Sequence, residues 1–279
     1  MNDGTKISYA LNQIIVPKSS LIDLINLAKS IGVSAIEIRN DIPVNLIEEN
    51  RPESIKTLSE SNCIRILTVN ALQKFNLWNE ERLNELVELC KFSSVAGVEA
   101  IVLVPLNDGS VTDDIDQREL LGNSLKEIVK VLSDFDLLGY VEPLGFETSS
   151  VRKKSMVVDE IKKLKTSRLK IVHDTFHHFL AGEKDFFPSM TGLVHISGVS
   201  SEFSNIELND NHRYLINETD MLGNINQINY FLQSDYKGFF SFEPFAKDLA
   251  KNDNLSNVIE RNINYIEEQL SRTNKGRMI

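Results

Sequence analysis

FFSFEP, residues 239–244, is a short apolar run that ends on a charged residue, and the chain uses the same device three times upstream. The other runs are LGYVEPLGF (138–146), LKIVHD (169–174) and GLVHIS (192–197). Each is too short for a buried helix and rich enough in β-branched and aromatic residues for a strand. The intervals between them can hold a helix, which is the pattern of parallel βα units.

Working outward, the same alternation extends along the whole chain. Further strands are expected at 7–14 (ISYALNQI), 35–38 (AIEI), 64–70 (IRILTVN) and 100–104 (AIVLV), and the four quoted runs supply 139–146, 169–173, 192–196 and 238–243. Helical period is clearest in ERLNELVELCKFSSVAG (81–97), where Leu83, Leu86, Val87, Leu89 and Cys90 keep one side apolar. Gly32, Gly97 and Gly139 stand where helix C-caps are expected, and a final helix is expected from about Leu255 to Leu270. With eight strand–helix pairs and 279 residues, the expected architecture is an α/β fold, a single (β/α)8 TIM barrel spanning 1–279 as one domain.

Composition limits the partners. Thirty Lys plus Arg against forty Asp plus Glu leave a net charge of −10, with no basic stripe to follow a nucleic-acid backbone. No stretch approaches the ~20 apolar residues of a membrane span, and the first residues lack a basic segment followed by an apolar one, so a cytoplasmic protein is expected. Cys63 and Cys90 have no metal-type spacing and are expected to be buried thiols.

In a barrel, strand ends converge on one face, where the following loops build the active site. Glu142, Asp174, His195 and Glu243 would therefore face one another, three carboxylates and an imidazole suited to one divalent metal. Taken singly, each has a plainer reading: Asp174 as a helix N-cap, His195 as a core histidine, the glutamates as solvent-facing strand ends. Strand alternation turns His173 outward against the helices, and His177, three residues after Asp174, leans over the pocket while His178 faces away. The irregular stretch from Gly198 to about Asp220 is read as a substrate cover. Arg152, Lys153 and Lys154 begin a helix that Ser149 or Ser150 would cap, which is a solvated helix start or a phosphate site.

These residues resemble the xylose-isomerase-like TIM-barrel superfamily of sugar isomerases and epimerases, and within it the 2-keto-myo-inositol isomerase (inosose isomerase) branch. The likeness rests on AIEIR (35–39), VNAL followed by FN (69–76), VPL (104–106), Glu142, DTFH (174–177), LVHI (193–196) and FSFEPF (240–245). It implies Glu142, Asp174, His195 and Glu243 as metal ligands, Glu142 and Glu243 as the catalytic pair, and His177, Arg213, Asn70, Glu37 and Arg39 as substrate contacts. The implied cofactor is one divalent ion, Mn or Zn before Co or Mg, and the implied partner is a small keto-inositol or ketose, with association into a homo-oligomer common among such barrels. The chemistry would convert 2-keto-myo-inositol to its 1-keto isomer through a metal-stabilised enediolate. Alternatives are a ketose 3-epimerase, a hydroxypyruvate-type isomerase, and a sugar-binding barrel without catalysis. An apurinic-site endonuclease would need more histidine ligands and a basic face than five histidines and a charge of −10 provide. The chain departs from the pattern at Ser197 and Gly198, where an acidic residue is usual, and in NETDMLGN (217–224), where Asp220 and Asn224 replace a Pro-Gly segment.

Overall fold

The computed structural model describes residues 7–276. Eight parallel strands, β1 (Tyr9–Asn12), β2 (Ala35–Arg39), β3 (Arg65–Gln73), β4 (Val98–Val104), β5 (Leu138–Val141), β6 (Leu169–Asp174), β7 (Thr191–Ile196) and β8 (Phe240–Phe242), pair in chain order, and β8 closes on β1. Around them run α1 (Leu21–Ser30), α2 (Leu46–Glu49), α3 (Pro52–Ser61), α4 (Glu80–Ala96), α5 (Asp114–Asp134), α6 (Lys154–Leu164), α7 (Thr175–Ala181), α8 (Asn224–Leu232) and α9 (Leu255–Gly276). This is the expected (β/α)8 barrel. No described helix is long and apolar enough to cross a membrane.

Alternation along the strands separates two cores. Ala10, Ala35, Leu67, Ala71, Ala100, Val102, Tyr140, Val172 and Leu193 pack together inside the barrel. Their neighbours, such as Leu11, Ile36, Ile101, Ile171 and Val194, face outward and join the helices in the larger core. At ~1.5–3 kcal/mol for each large side chain taken from water, this outer layer is the main source of cohesion.

Several boundaries differ from expectation for local reasons. The first strand stops at Asn12, because its side chain accepts the N–H of Ile14 and turns Gln13–Ile15 into a 3-10 helix. The fifth stops at Val141, ahead of Pro143, although the N–H of Glu142 still donates to Leu103 O. Gly32 and Gly97 have the positive φ of C-caps, but Gly139 lies inside β5, where a Cβ would stand 2.8 Å from Leu132 Cδ1. Close packing explains that glycine, and Asp136, at φ 56, takes the turn. Leu83 is exposed rather than part of the apolar side of α4, and Cys63 is an exposed residue in the turn before β3, while Cys90 is buried. The last helix continues past Leu270 to Gly276, with Glu268 and Arg272 paired four residues apart.

Candidate metal centre

Register places the four strand-end residues. Asp174 pairs with His195 across β6 and β7, His195 with Ser241 across β7 and β8, and the N–H of Glu243 donates to Ile196 O one step beyond β8. Glu142 stands one residue past β5. Each of the four offers a ligand atom, all within 4.8 Å of one another and all buried. Asp174 also fills the plainer role read from the sequence: its Oδ1 accepts the N–H groups of Phe176 and His177 and caps α7, leaving Oδ2 for the cluster.

Beneath the cluster lies a polar layer built around Glu37, which is 0% exposed. Its Oε2 accepts from Thr68 Oγ1 (2.6 Å), Asn70 Nδ2 (2.9 Å) and His195 Nε2 (3.1 Å), and its Oε1 from Asn12 Nδ2 (3.2 Å) and Ser241 Oγ. Glu37 and Asn70, expected near substrate, stand in this layer: both Glu37 oxygens accept bonds within it, and Asn70 Nδ2 donates to Glu37 Oε2 and Thr68 Oγ1. The His195 Nε2 hydrogen bond leaves Nδ1 facing Glu142 Oε1 at 2.8 Å and Glu243 Oε2 at 3.2 Å. A histidine fixed by a carboxylate on one nitrogen and free to ligate with the other is the common arrangement at metal sites.

Two arginines complete the shell. Arg213, 1% exposed, reaches back from the long loop to Asp174 Oδ2 (2.6 Å), Glu243 Oε2 (2.8 Å) and Ser197 Oγ (3.0 Å). Arg39 forks onto Asp41 and places Nη1 2.8 Å from Glu243 Oε1. Glu37, Glu142, Asp174 and Glu243 thus carry four buried negative charges against two guanidinium groups. Asp41 and Asp210, which share those guanidiniums, add further negative charge nearer solvent. Buried charge of this kind must be paired, and with the four buried carboxyls ionised, His195 neutral and Asp41 and Asp210 left to solvent, the excess equals the charge of one divalent ion. In the metal-free protein the site compensates by protonation. Burial opposes it, but Glu243, Glu37 and Glu142 raise the His195 imidazole well above its usual range. Burial also opposes ionised Glu243, yet His195, Arg213 and Arg39 hold that carboxyl well below its usual range. Glu142 is raised, by burial and by repulsion from Glu243 and Asp174.

The remaining candidates sort clearly. His177 is buried at the start of α7, its ring edge-on to Phe146, and its Nδ1 has no partner among the described residues. Burial, then Arg213, lowers it to about 4, so it is neutral. His173 faces outward, stacked on Phe186. His212 accepts the N–H of Asn209 beside its own 3-10 turn, and its ring packs against Phe203. The cover segment is pinned, not loose: bridges join Gly198 to Tyr214 and Ser200 to Asp220, and Asp220 Oδ2 accepts the N–H of Asn224. Neither Ser149 nor Ser150 caps α6. The Glu183 carboxylate takes the N–H groups of Lys154 and Ser155, and Arg152 is spent on Gly145 O and Glu147. The phosphate reading fails because the protein's own carboxylate occupies that anion position. Asn12 and Ser241 were missed, although a polar residue at an inward strand position was a usable signal.

Comparison with known proteins agrees with this architecture. The family described as Xylose isomerase-like TIM barrel matches residues 25–269. A xylose isomerase domain containing protein from Salmonella typhimurium LT2 superposes with a TM-score of 0.86 at 30% identity, over 96% of this chain and 99% of that one. The IOLI protein, solved with a zinc atom, gives 0.81 at 16% identity over 95% and 98%. D-Psicose 3-epimerase from Clostridium cellulolyticum H10, solved with D-tagatose, gives 0.73 at 16% identity over 95% and 99%. No curated protein sequence matches. With a family match along most of its length and a 30%-identical structural relative covering nearly all of it, the chain belongs to the xylose isomerase-like TIM-barrel family.

Proposed function

We propose that this protein is a divalent-metal-dependent isomerase of polyhydroxy ketones, with a keto-inositol as substrate, and that Glu142, Asp174, His195 and Glu243 hold the metal. The observation that carries the reading is the buried set of four donors, three carboxyls and one imidazole, whose ligand atoms all lie within 4.8 Å of one another. A bound divalent ion of the Mn or Zn type supplies positive charge beside the substrate oxygens, which lowers the cost of charge that develops there when a carbon-bound proton leaves.

The chain's own groups supply the proton transfers. Glu243, paired with Arg213 and Arg39 at 2.8 Å each, accepts the proton from the hydroxyl-bearing carbon beside the ketone. Glu142, the second carboxyl of the set, is assigned to return one to the former carbonyl carbon, and proton exchange with solvent resets the two glutamates. The hydroxyl proton passes from one oxygen to the other, and the carbonyl has moved by one carbon. His177 Nδ1, buried without a partner at the pocket wall, binds a substrate hydroxyl, and Phe146 and Phe245 keep water from the site. Glu37 orients His195 and does not touch substrate.

The same pair of glutamates suits a second reading as readily. Glu142 and Glu243 follow β5 and β8, nearly opposite in the barrel, so they can address the two faces of one planar intermediate. That suits a ketose 3-epimerase, and the D-psicose 3-epimerase structure shares the fold. NMR of metal-loaded protein with keto-inositols and free ketoses separates the two. A carbonyl moved by one carbon in an inosose supports the first reading, inversion at C3 of a ketose replaces it with the second, and no product from either rejects both.

A further inference from the structure

Behind the candidate centre, on the helix side of β6, lies a buried polar network that the proposed chemistry does not use. Lys154, at the start of α6, is 4% exposed. Its Nζ donates to Nδ1 of His173 at 3.1 Å and to Nδ1 of His178 at 2.6 Å, and lies 3.5 Å from Glu183 Oε2. An ammonium can only donate, so both imidazoles accept through Nδ1 and carry their proton on Nε2. His173 Nε2 then donates to Gln227 Oε1 at 2.9 Å, and Gln227 Nε2 donates to the carbonyls of Thr175 (3.2 Å) and Leu222 (2.9 Å). One buried cation therefore joins α6, β6, α7 and α8.

The two histidines bracket the turn that carries Asp174 and His177. Helix α7 has seven residues, too few to persist by itself. Its front end is held by the Asp174 cap, and its second turn by the His178 bond to Lys154. Any slip of α7 is transmitted through the cap to the Asp174 carboxylate, whose free oxygen faces His195 and Arg213. We infer that Lys154 is a positioning residue that clamps the β6–α7 turn and thereby sets Asp174 and His177 in place. The effect on the centre rests on the reading of Asp174 as a ligand. Burial lowers the ammonium to about 8, with Glu183 opposing that fall, so the clamp stays charged at neutral pH.

Two variants test it: Lys154→Met keeps the stem, and His178→Phe keeps a ring against Phe186 at a half-buried position while removing the acceptor. Amide hydrogen exchange across 176–180 in metal-free protein is compared with that of β7, and zinc affinity is measured by competition with a chelator. A rise in α7 exchange over wild type at least ~10-fold larger than the rise in β7, with zinc affinity lower by ~10–100-fold, is expected in both variants. Unchanged α7 exchange overturns the clamp. So does a uniform rise in exchange with zinc affinity within about twofold of wild type, which is what a merely stabilising residue would give. Wild-type protein that takes up no zinc, with α7 selectively loosened in both variants, sinks the metal reading of Asp174 and supports the clamp.

Discussion

Replacing Glu37 by Gln separates the stability of the barrel from the strength of its candidate metal centre. Glutamine has the same shape but only one accepting oxygen. In its better orientation that oxygen replaces Oε2 and still accepts from Thr68, Asn70 and His195, while the new amide NH₂ faces Asn12 and Ser241. The Ser241 hydroxyl can rotate to accept, and Asn12 Nδ2 keeps its bond to Glu243 Oε1 at 3.3 Å. The cost to folding is therefore at the low end for a disturbed buried hydrogen bond, about 1 kcal/mol, or a fall in Tm of about 2–4 °C. The effect on His195 is larger. A charge-assisted bond from Nε2 becomes a neutral one, the imidazole becomes a poorer donor, and one of the two excess negative charges disappears. Loss of such an outer partner weakens metal affinity by ~10–100-fold, about 1.4–2.7 kcal/mol. Thermal unfolding of the metal-free variant and zinc titration calorimetry measure the two effects independently. Zinc affinity within about twofold of wild type in a folded Glu37→Gln protein would refute the reasoning.

Other outcomes follow from the same geometry. Glu243→Gln is expected to keep the fold and lose ~10²–10⁴ of turnover, measured by NMR at saturating metal, since it removes the ionised carboxylate assigned to proton abstraction. His177 is held neutral down to about 4, chiefly by burial and then by Arg213, against 6.5 in the unfolded chain. The unfolded state therefore binds the proton first, and the contribution is intact above pH 6.5 and lost as pH falls toward 4, about 3 kcal/mol in all. Urea unfolding from pH 7 to 4 checks this by difference, because His177→Asn should show a correspondingly shallower acid loss than wild type. Gly145→Ala would put a Cβ 2.3 Å from His177 O and 2.9 Å from Ala181 N, both backbone atoms of α7. The overpacking should cost about 1–3 kcal/mol in a melting experiment and raise KM more than it lowers kcat.

The fold and the four-residue cluster were legible because both depend on short-range pattern. Apolar runs ending in Glu142, Asp174, His195 and Glu243 mark strand ends, and in a parallel barrel strand ends meet. Alternation likewise put His173 outside and Asp174 inside. What could not be read depends on contacts between segments far apart in the chain. The sequence around Glu183 carries no sign that it caps α6, because that requires the loop after α7 to return to Lys154. Glu37 lies in the same AIEIR run as Arg39, yet five donors from four other strands determine that it faces down to His195. Gly139 followed a helix as a cap would, and only the crowding of Leu103, Leu132 and Leu169 explains it.

The most direct test is incorporation of solvent deuterium into a keto-inositol or ketose, followed by NMR in D₂O with protein first stripped of metal and then resupplied with Zn or Mn. Deuterium at the carbon beside the carbonyl, lost on stripping, restored on resupply and greatly reduced in Glu243→Gln, is predicted. Metal bound at these four residues with no exchange into any member of the panel would contradict the account.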